Sequence, residues 1–170
     1  MLERETMITP VMRARIGHFG DDVQRINNAL KVHGSSCLIA GETGLDEAYC
    51  RVVALAGLLH DIGIRKAERT YGPATGKNQE REGPPIARRF LSANGFDPAT
   101  IERVCFIVAN HHPYAGIDGV DFQTAIEADS LVNVFEDSLR RNAIKRTRKT
   151  MFRTGTETSL LEALYLHDPA

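Results

Sequence analysis

The sequence has little of what disulfide-rich or membrane-spanning proteins need. It contains three cysteines, Cys37, Cys50 and Cys105, whose wide spacing and apolar surroundings fit reduced core thiols better than a disulfide framework or a zinc cluster. No run approaches the roughly 20 apolar residues of a membrane span, and the first stretch, MLERETMITP, has no apolar segment behind its charges. We therefore expect a soluble, cytoplasmic protein with no membrane partner.

Charge of either sign is not in excess, since 21 Lys and Arg residues face 22 Asp and Glu residues. This balance gives no general electrostatic reason to expect nucleic acid as a partner. The chain also lacks internal repeats, low-complexity tracts, a domain linker and any alternating β-branched run long enough to predict a sheet. With 170 residues it is long enough for one hydrophobic core, so we predict a single all-α domain covering residues 1–170.

The apolar periodicity and the capping residues predict a series of helices. Asp21 or Asp22 begins the first, and Asp97 followed by Pro98 begins a later one. Gly63 ends the second helix, and Pro113 ends the helix that starts after Asp97. The predicted helical segments are VQRINNALKVHGSSCLIA, DEAYCRVVALAGLLHDIG, IARRFLSANG, DPATIERVCFIVAN, FQTAIEADSLVNVFEDSLRRN and TSLLEALYL, and ERTYGPATGKNQEREGPP is predicted to be a loop.

Five polar residues stand where an apolar helix face or a helix end is expected: His60, Asp61, His111, His112 and Asp129. Each alone is more often structural, as a helix-end histidine, a loop-edge pair or a buried capping acid. Together they offer imidazole and carboxylate, which are ligands of divalent cations. A bound cation would also neutralise a buried carboxylate that is otherwise costly. The set therefore predicts a metal site.

The order LLHDIG, then HH at a helix end, then EADSLVN resembles the HD superfamily of metal-dependent phosphohydrolases, particularly its small stand-alone bacterial members. The match runs from about Arg25 to Asn133. The resemblance implies a helical bundle with the site at its centre, a core motif region over residues 21–135 and a C-terminal helical extension over 136–170. It also implies His60, Asp61 and Asp129 as metal ligands. With few imidazoles and several oxygens, the site favours magnesium, manganese or iron over zinc.

One family ligand is replaced in this chain. In RINNALKV, the position where the family has its first histidine ligand holds Asn28, which offers a carbonyl oxygen to a hard cation. His33 is five residues further on, about 140° around the helix, so we expect it to face elsewhere. Gln79 stands near the position of a further histidine that some relatives use for a second ion, so a full two-metal site is not expected.

The resemblance implies hydrolysis of a small phosphorylated molecule, and a nucleotide is the expected substrate. Asp61 would steer the attacking water, and His111 and His112 would bind phosphate or protonate the leaving oxygen. Arg65 and Lys66 would balance charge on the phosphoryl oxygens, although ordinary helix-start charge explains them equally well.

The remaining polar groups near the motif have two interpretations each. We expect Gln79 and Glu82 to contact the substrate, and Glu80 or Glu82 to orient a water, but a solvated loop carboxylate explains either acid as well. The basic stretch RRNAIKRTRKTMFRT is either a solvated helix face or a rim that attracts anions.

Two other functions remain open. A catalytically weakened HD domain could bind or sense a nucleotide, which Asn28 and Gln79 favour because both replace imidazoles. A helical interaction protein would need the inward polar residues to be purely structural. The sequence does not determine the oligomeric state, and a homodimer remains one option.

Overall fold

The computed structural model describes residues 2–44, 46–112 and 116–167, with side chains from residue 7 onward. In these ranges all regular structure is helical, which confirms the all-α fold class. None of the described helices is both long and apolar enough to cross a membrane. The elements are α1 (Leu2–Phe19), α2 (Val23–Glu42), α3 (Glu47–Leu59), α4 (Ile64–Tyr71), α5 (Gly76–Ala93), α6 (Pro98–Val108), α7 (Val120–Glu136), α8 (Arg141–Met151), α9 (Gly155–Leu161) and a π-helical turn (Glu162–Leu166).

Helix α3 lies at the centre of the bundle and packs against α2, α6 and α7. Its residues from Val52 to Leu59 are all buried, and most of them belong to the largest hydrophobic cluster together with side chains of α1, α5, α6 and α7. A helix that is apolar on every side must be enclosed by other helices. The residues that follow Leu59 therefore emerge in the middle of the bundle.

The contact between α2 and α3 depends on small residues. A Cβ atom at Gly57 would overlap the side chain of Ser36, which is fully buried. This close approach turns Ser36 inward and leaves Cys37 and Leu38 exposed, so the predicted core position of Cys37 is wrong. Cys50 and Cys105 are buried, as predicted. Hydrophobic spacing alone does not predict which face of α2 is buried, because the close approach of the α2 and α3 backbones decides it.

The turn over residues 60–63 links α3 to α4 and packs directly on α5. A Cβ atom at Gly63 would overlap the backbone of Gln79 and Gly83, and one at Gly83 would lie 2.7 Å from Val108 Cγ1. These two glycines let the three segments approach closely. The prediction of a loop over residues 68–85 is wrong, because most of this segment is helical, with Pro84 inside α5.

The other helix ends follow simple local chemistry. Asp22 and Asp97 accept hydrogen bonds from backbone N–H groups three residues on, which confirms both predicted caps. Helix α6 already ends at Val108, and Pro113 lies outside the described residues. The single helix predicted over 122–142 is broken after Glu136, and α8 begins at Arg141.

A buried pair of acids joins α7 to α9. Glu127 accepts hydrogen bonds from the Arg153 backbone N–H (2.6 Å) and the Thr154 hydroxyl (2.7 Å). Glu157 is fully buried, and neither of its carboxyl oxygens has a hydrogen-bond partner in the described part of the chain. Burial, followed by the nearby Glu127 carboxylate, raises the pKa of Glu157 to about 7.

Glu157→Gln should therefore make stability less dependent on pH. The unfolded carboxyl ionises near pH 4.5 and the folded one near pH 7, so ionisation of Glu157 lowers stability as the pH rises between these values. The variant removes this loss, and its melting temperature relative to wild type should be a few degrees higher at pH 8 than at pH 5. Thermal unfolding at both pH values measures it. An equal difference at the two values would contradict the assignment.

Candidate metal centre

Asp61 lies in the turn after α3, where three imidazole rings surround its carboxylate. His60 Nε2 is 3.4 Å from Asp61 Oδ2, and His111 Nε2 is 3.4 Å from Asp61 Oδ1. His112 Nε2 lies 3.9 Å from the same Oδ1 atom. The end of α3 and the segment after α6 thus bring the two histidine-containing motifs of the sequence together.

Backbone carbonyls fix the orientation of two of these rings. The Nδ1 atom of His60 donates to the Gly57 carbonyl (2.9 Å), and that of His111 donates to the Val108 carbonyl (3.0 Å). Because a carbonyl can only accept, Nδ1 must carry a proton in both rings. The same bonds fix the ring orientation, in which each Nε2 atom faces Asp61. Both Nε2 atoms are buried and have no hydrogen-bond partner in the described residues. Such fixed, unpartnered nitrogens are the usual form of metal-binding histidines.

Asp129, on α7, adds a second carboxylate beside the same Nε2 atom of His60. Its Oδ1 atom lies 3.5 Å from His60 Nε2 and accepts a hydrogen bond from Asn133 Nδ2 at 3.0 Å. Asn133 is one helical turn further along α7, so this bond holds the carboxylate against its own helix. The three ligands implied by the resemblance, His60, Asp61 and Asp129, are therefore neighbours in the structure.

His112 is held by α5. Its backbone N–H donates to Glu80 Oε1 at 3.0 Å, and its ring Nδ1 lies 3.6 Å from the same oxygen. A Cβ atom at Gly76 would come within 2.8 Å of the His112 ring, so the start of α5 lies flat against it. His112 is only partly buried, whereas His60 and His111 are buried. It is the imidazole that a solute can reach most easily.

The charged groups of this cluster shift one another's pKa values. Burial disfavours the charged form of His60, but Asp61 and Asp129 outweigh this and raise its pKa to about 9. Burial also opposes ionisation of Asp61, yet His60 and His111 hold its pKa well below the usual range. Burial and then the charge of Asp61 leave the pKa of Asp129 raised. Of the two carboxylates, Asp129 is therefore the one whose negative charge is less well compensated.

A divalent cation fits these residues, because the unpartnered Nε2 atoms and the carboxylates are its ordinary ligands. Asp61, His111 and His112 each offer a ligand atom, and these atoms all lie within 4.8 Å of one another. His60 and Asp129 lie on the other side of the same Asp61 carboxylate. The structure thus brings His111 and His112, predicted as substrate-handling groups, close enough to Asp61 for the three to hold an ion together.

Asn28 lies at the edge of the site. Its Nδ2 atom is 2.9 Å from Glu136 Oε2 and 3.4 Å from Asn133 Oδ1, so within the described residues it is linked to Asp129 through Asn133. It also lines, together with Asp61, a cavity of about 300 Å³. His33 bonds the Ala54 carbonyl through Nδ1 (2.8 Å), and its Nε2 faces Cys37. His33 therefore faces away from the site, as expected.

The four predicted substrate-binding residues lie between α1, α4 and α5. Arg65 donates to the His18 carbonyl (2.7 Å), and Lys66 pairs with Glu82 (3.2 Å). Gln79 is buried, and its Oε1 atom has no partner among the described groups. None of the four lines the cavity that contains Asp61. Their role in substrate binding stays a prediction.

Two charged residues of the cavity were not singled out by the sequence analysis. Arg15, on α1, and Glu136, at the end of α7, both line it beside Asp61. Arg15 stands four residues after Val11 and four before Phe19, and both of these are fully buried. A charged residue at this spacing on a buried stripe is a signal that could have been recognised.

A comparison with solved structures identifies the fold. The chain superposes on the crystal structure of a predicted HD superfamily hydrolase from an uncultured Thermotogales bacterium with a TM-score of 0.67 and 23% identity. The match covers 92% of this chain and 83% of the other. This confirms the HD-domain fold that LLHDIG and EADSLVN predict. No protein-family model and no curated protein matches the chain.

Replacement of His111 distinguishes a ligand from a substrate group. His111→Gln should weaken Mn²⁺ binding at least about tenfold, because it removes an unpartnered nitrogen that faces Asp61. Isothermal titration calorimetry measures the change, with His33→Gln as the matched control that leaves affinity unchanged. If folded His111→Gln bound Mn²⁺ as tightly as wild type, His111 would have no place among the ligands.

Proposed function

We propose that this protein is a metal-dependent phosphohydrolase of the HD superfamily. Its expected substrate is a phosphate ester or anhydride of a small molecule, with a nucleotide as the first class to test. The observation that carries the proposal is the pair of buried, unpartnered Nε2 atoms of His60 and His111 that face the carboxylate of Asp61. The HD-domain fold supports it, and His60 and Asp61 of LLHDIG lie directly after the central helix α3.

The proposed ion is held by His60, Asp61 and Asp129, with His111 and His112 on the other side of Asp61. When bound, a divalent cation supplies Lewis acidity toward a phosphoryl oxygen. Magnesium, manganese or iron suits this mixture of carboxylates and imidazoles, and the identity of the ion is part of the proposal. Asn28 lines the same cavity as Asp61, and its carbonyl oxygen would be a further ligand.

The chain's own groups account for the remaining chemistry. Asp61 lines the cavity and orients the attacking water toward phosphorus. Two protons move as the new oxygen–phosphorus bond forms and the old one breaks. The attacking water gives one to Asp61, and the partly exposed His112, in its protonated form, gives one to the leaving oxygen. Glu80 positions His112 through the backbone N–H bond and its closeness to Nδ1. His111, which is buried, faces Asp61 through its unpartnered Nε2 atom and would be a ligand of the same ion.

A nucleotide-binding or sensing module is the second candidate function, and Asn28 is the observation that favours it. Its amide donor is engaged by Glu136 and Asn133, and no imidazole stands at that position. Such a protein would bind a nucleotide without turnover. The assay that separates the two functions is therefore one of hydrolysis.

Release of phosphate by the metal-loaded protein, measured over a panel of nucleotides and simple phosphate esters, tests the proposal. At least one substrate should be turned over, and Asp61→Asn should lower kcat at least about 100-fold because the carboxylate serves both the ion and the water. Nucleotide binding without any turnover would support the sensing module. A protein that neither binds nor hydrolyses any member of the panel would contradict both functions.

Asn28→His should restore an imidazole beside the site. We expect Mn²⁺ binding to tighten about tenfold, equivalent to about 1.4 kcal/mol. Turnover at limiting metal should rise in parallel, because more of the protein is loaded. Calorimetry and phosphate release on the same preparation measure both quantities. Loss of Mn²⁺ binding in His33→Ala, with no gain in Asn28→His, would show that His33 is the ligand and that our alignment of α2 with the HD motif is wrong.

A further inference from the structure

Arg15 is a buried cation with most of its hydrogen-bonding capacity unused. Only 1% of its surface is exposed. Its Nη2 atom donates to the Arg25 carbonyl at 3.2 Å, and its guanidinium lies 4.6 Å from the centre of the Phe19 ring. Nε and Nη1 have no hydrogen-bond partner among the described residues. Burial lowers the pKa of Arg15 to about 10, and the nearby charges of Asp61 and Asp22 offset this only in part. A buried cation with unused N–H donors is unfavourable, so this arrangement calls for a ligand.

The cavity beside Asp61 is where such a ligand would lie. Its volume of about 300 Å³ is at the lower end of the range of small-molecule sites, about 300–1,000 Å³. Its lining consists of Arg15, Asp22, Gln24, Arg25, Asn28, Asp61, Ile64 and Glu136. Arg15 and Asp61 therefore share one cavity, with the candidate metal centre at its wall.

The other charges of this cavity already have partners. Arg25 forms a two-pronged ion pair with Glu68 and a 3.0 Å ion pair with Asp22. Glu136 pairs with Lys31 and accepts from Asn28. Asp61 is surrounded by imidazoles. The acids of the lining are thus compensated, and Arg15 is the cation in it whose N–H groups are left to bind an anion.

We propose that Arg15 binds an oxyanion, the phosphate group of a small substrate, in the cavity beside Asp61. A guanidinium presents its N–H groups as a planar fork that suits two oxygens of one phosphate. The identification of this anion as substrate rests on the proposed phosphohydrolase function, whereas the anion site itself does not. Arg15 would hold the phosphate against the candidate metal centre.

A purely structural role for Arg15 makes opposite predictions. If its purpose were the bond to the Arg25 carbonyl and the contact with Phe19, its replacement would lower stability and leave anion binding unchanged. If it binds phosphate, removal of an unpaired buried charge should not lower the melting temperature of the phosphate-free protein. Arg15→Met keeps most of the side-chain volume and removes the charge, so it separates the two roles.

Inorganic phosphate is the probe, titrated calorimetrically into the full chain in Mg²⁺ buffer at constant ionic strength. We expect Arg15→Met to weaken phosphate binding at least about tenfold. The control is Arg88→Met, which removes an exposed arginine that pairs with Glu102 outside the cavity, and it should bind like wild type. Arg15→Lys, which keeps the charge but loses the fork, should be weakened less than Arg15→Met.

Unchanged phosphate affinity in Arg15→Met would overturn the proposal, as would a wild-type protein that binds no phosphate. If Arg15→Met fails to fold, unchanged affinity in Arg15→Lys overturns it instead. Arg15-dependent phosphate binding by a protein that hydrolyses nothing would sustain the anion site and contradict the phosphohydrolase. Hydrolysis together with phosphate affinity independent of Arg15 would contradict the anion site alone.

Discussion

The carboxylate of Asp61 lies 3.4–3.9 Å from three imidazole nitrogens in a turn at the centre of the bundle, and the rest of the structure depends on this group. A desolvated carboxylate needs positive charge close by. The close contacts at Gly57, Gly63 and Gly76 bring α2, α5 and the His112 ring against the turn and the helix before it. The same close contacts therefore pack the core and bring positive charge to the Asp61 carboxylate.

The two buried histidines solve a second problem at the same time. His60 and His111 each follow a helix, and each donates Nδ1–H to the carbonyl three residues earlier, at Gly57 and Val108. The last carbonyls of a helix lack partners within it, so the imidazole supplies a donor that the helix end needs. The same bond aims Nε2 at Asp61. A local rule of helix termination thus builds the candidate metal centre.

The helical class, the caps at Asp22 and Asp97 and the meeting of His60, Asp61 and Asp129 were predictable, because capping chemistry and a spaced motif are written locally in the sequence. The helical course of α5 through Pro84 was not, since it depends on contacts of Gly63 and Gly83 with distant backbone. The spacing of Arg15 from Val11 and Phe19 marks a buried position, but its place beside Asp61 depends on how α1 packs over the cavity. Tertiary contacts decide such positions.

Anomalous diffraction from crystals grown with Mn²⁺, recorded near the manganese absorption edge, tests the central claim most directly. The account predicts a peak at a coordination distance of about 2.0–2.3 Å from Asp61. At least one further ligand should be the Nε2 atom of His60 or His111, the two that face this carboxylate without a partner. A manganese peak elsewhere, or none at Asp61, would contradict the assignment of this cluster as a metal centre.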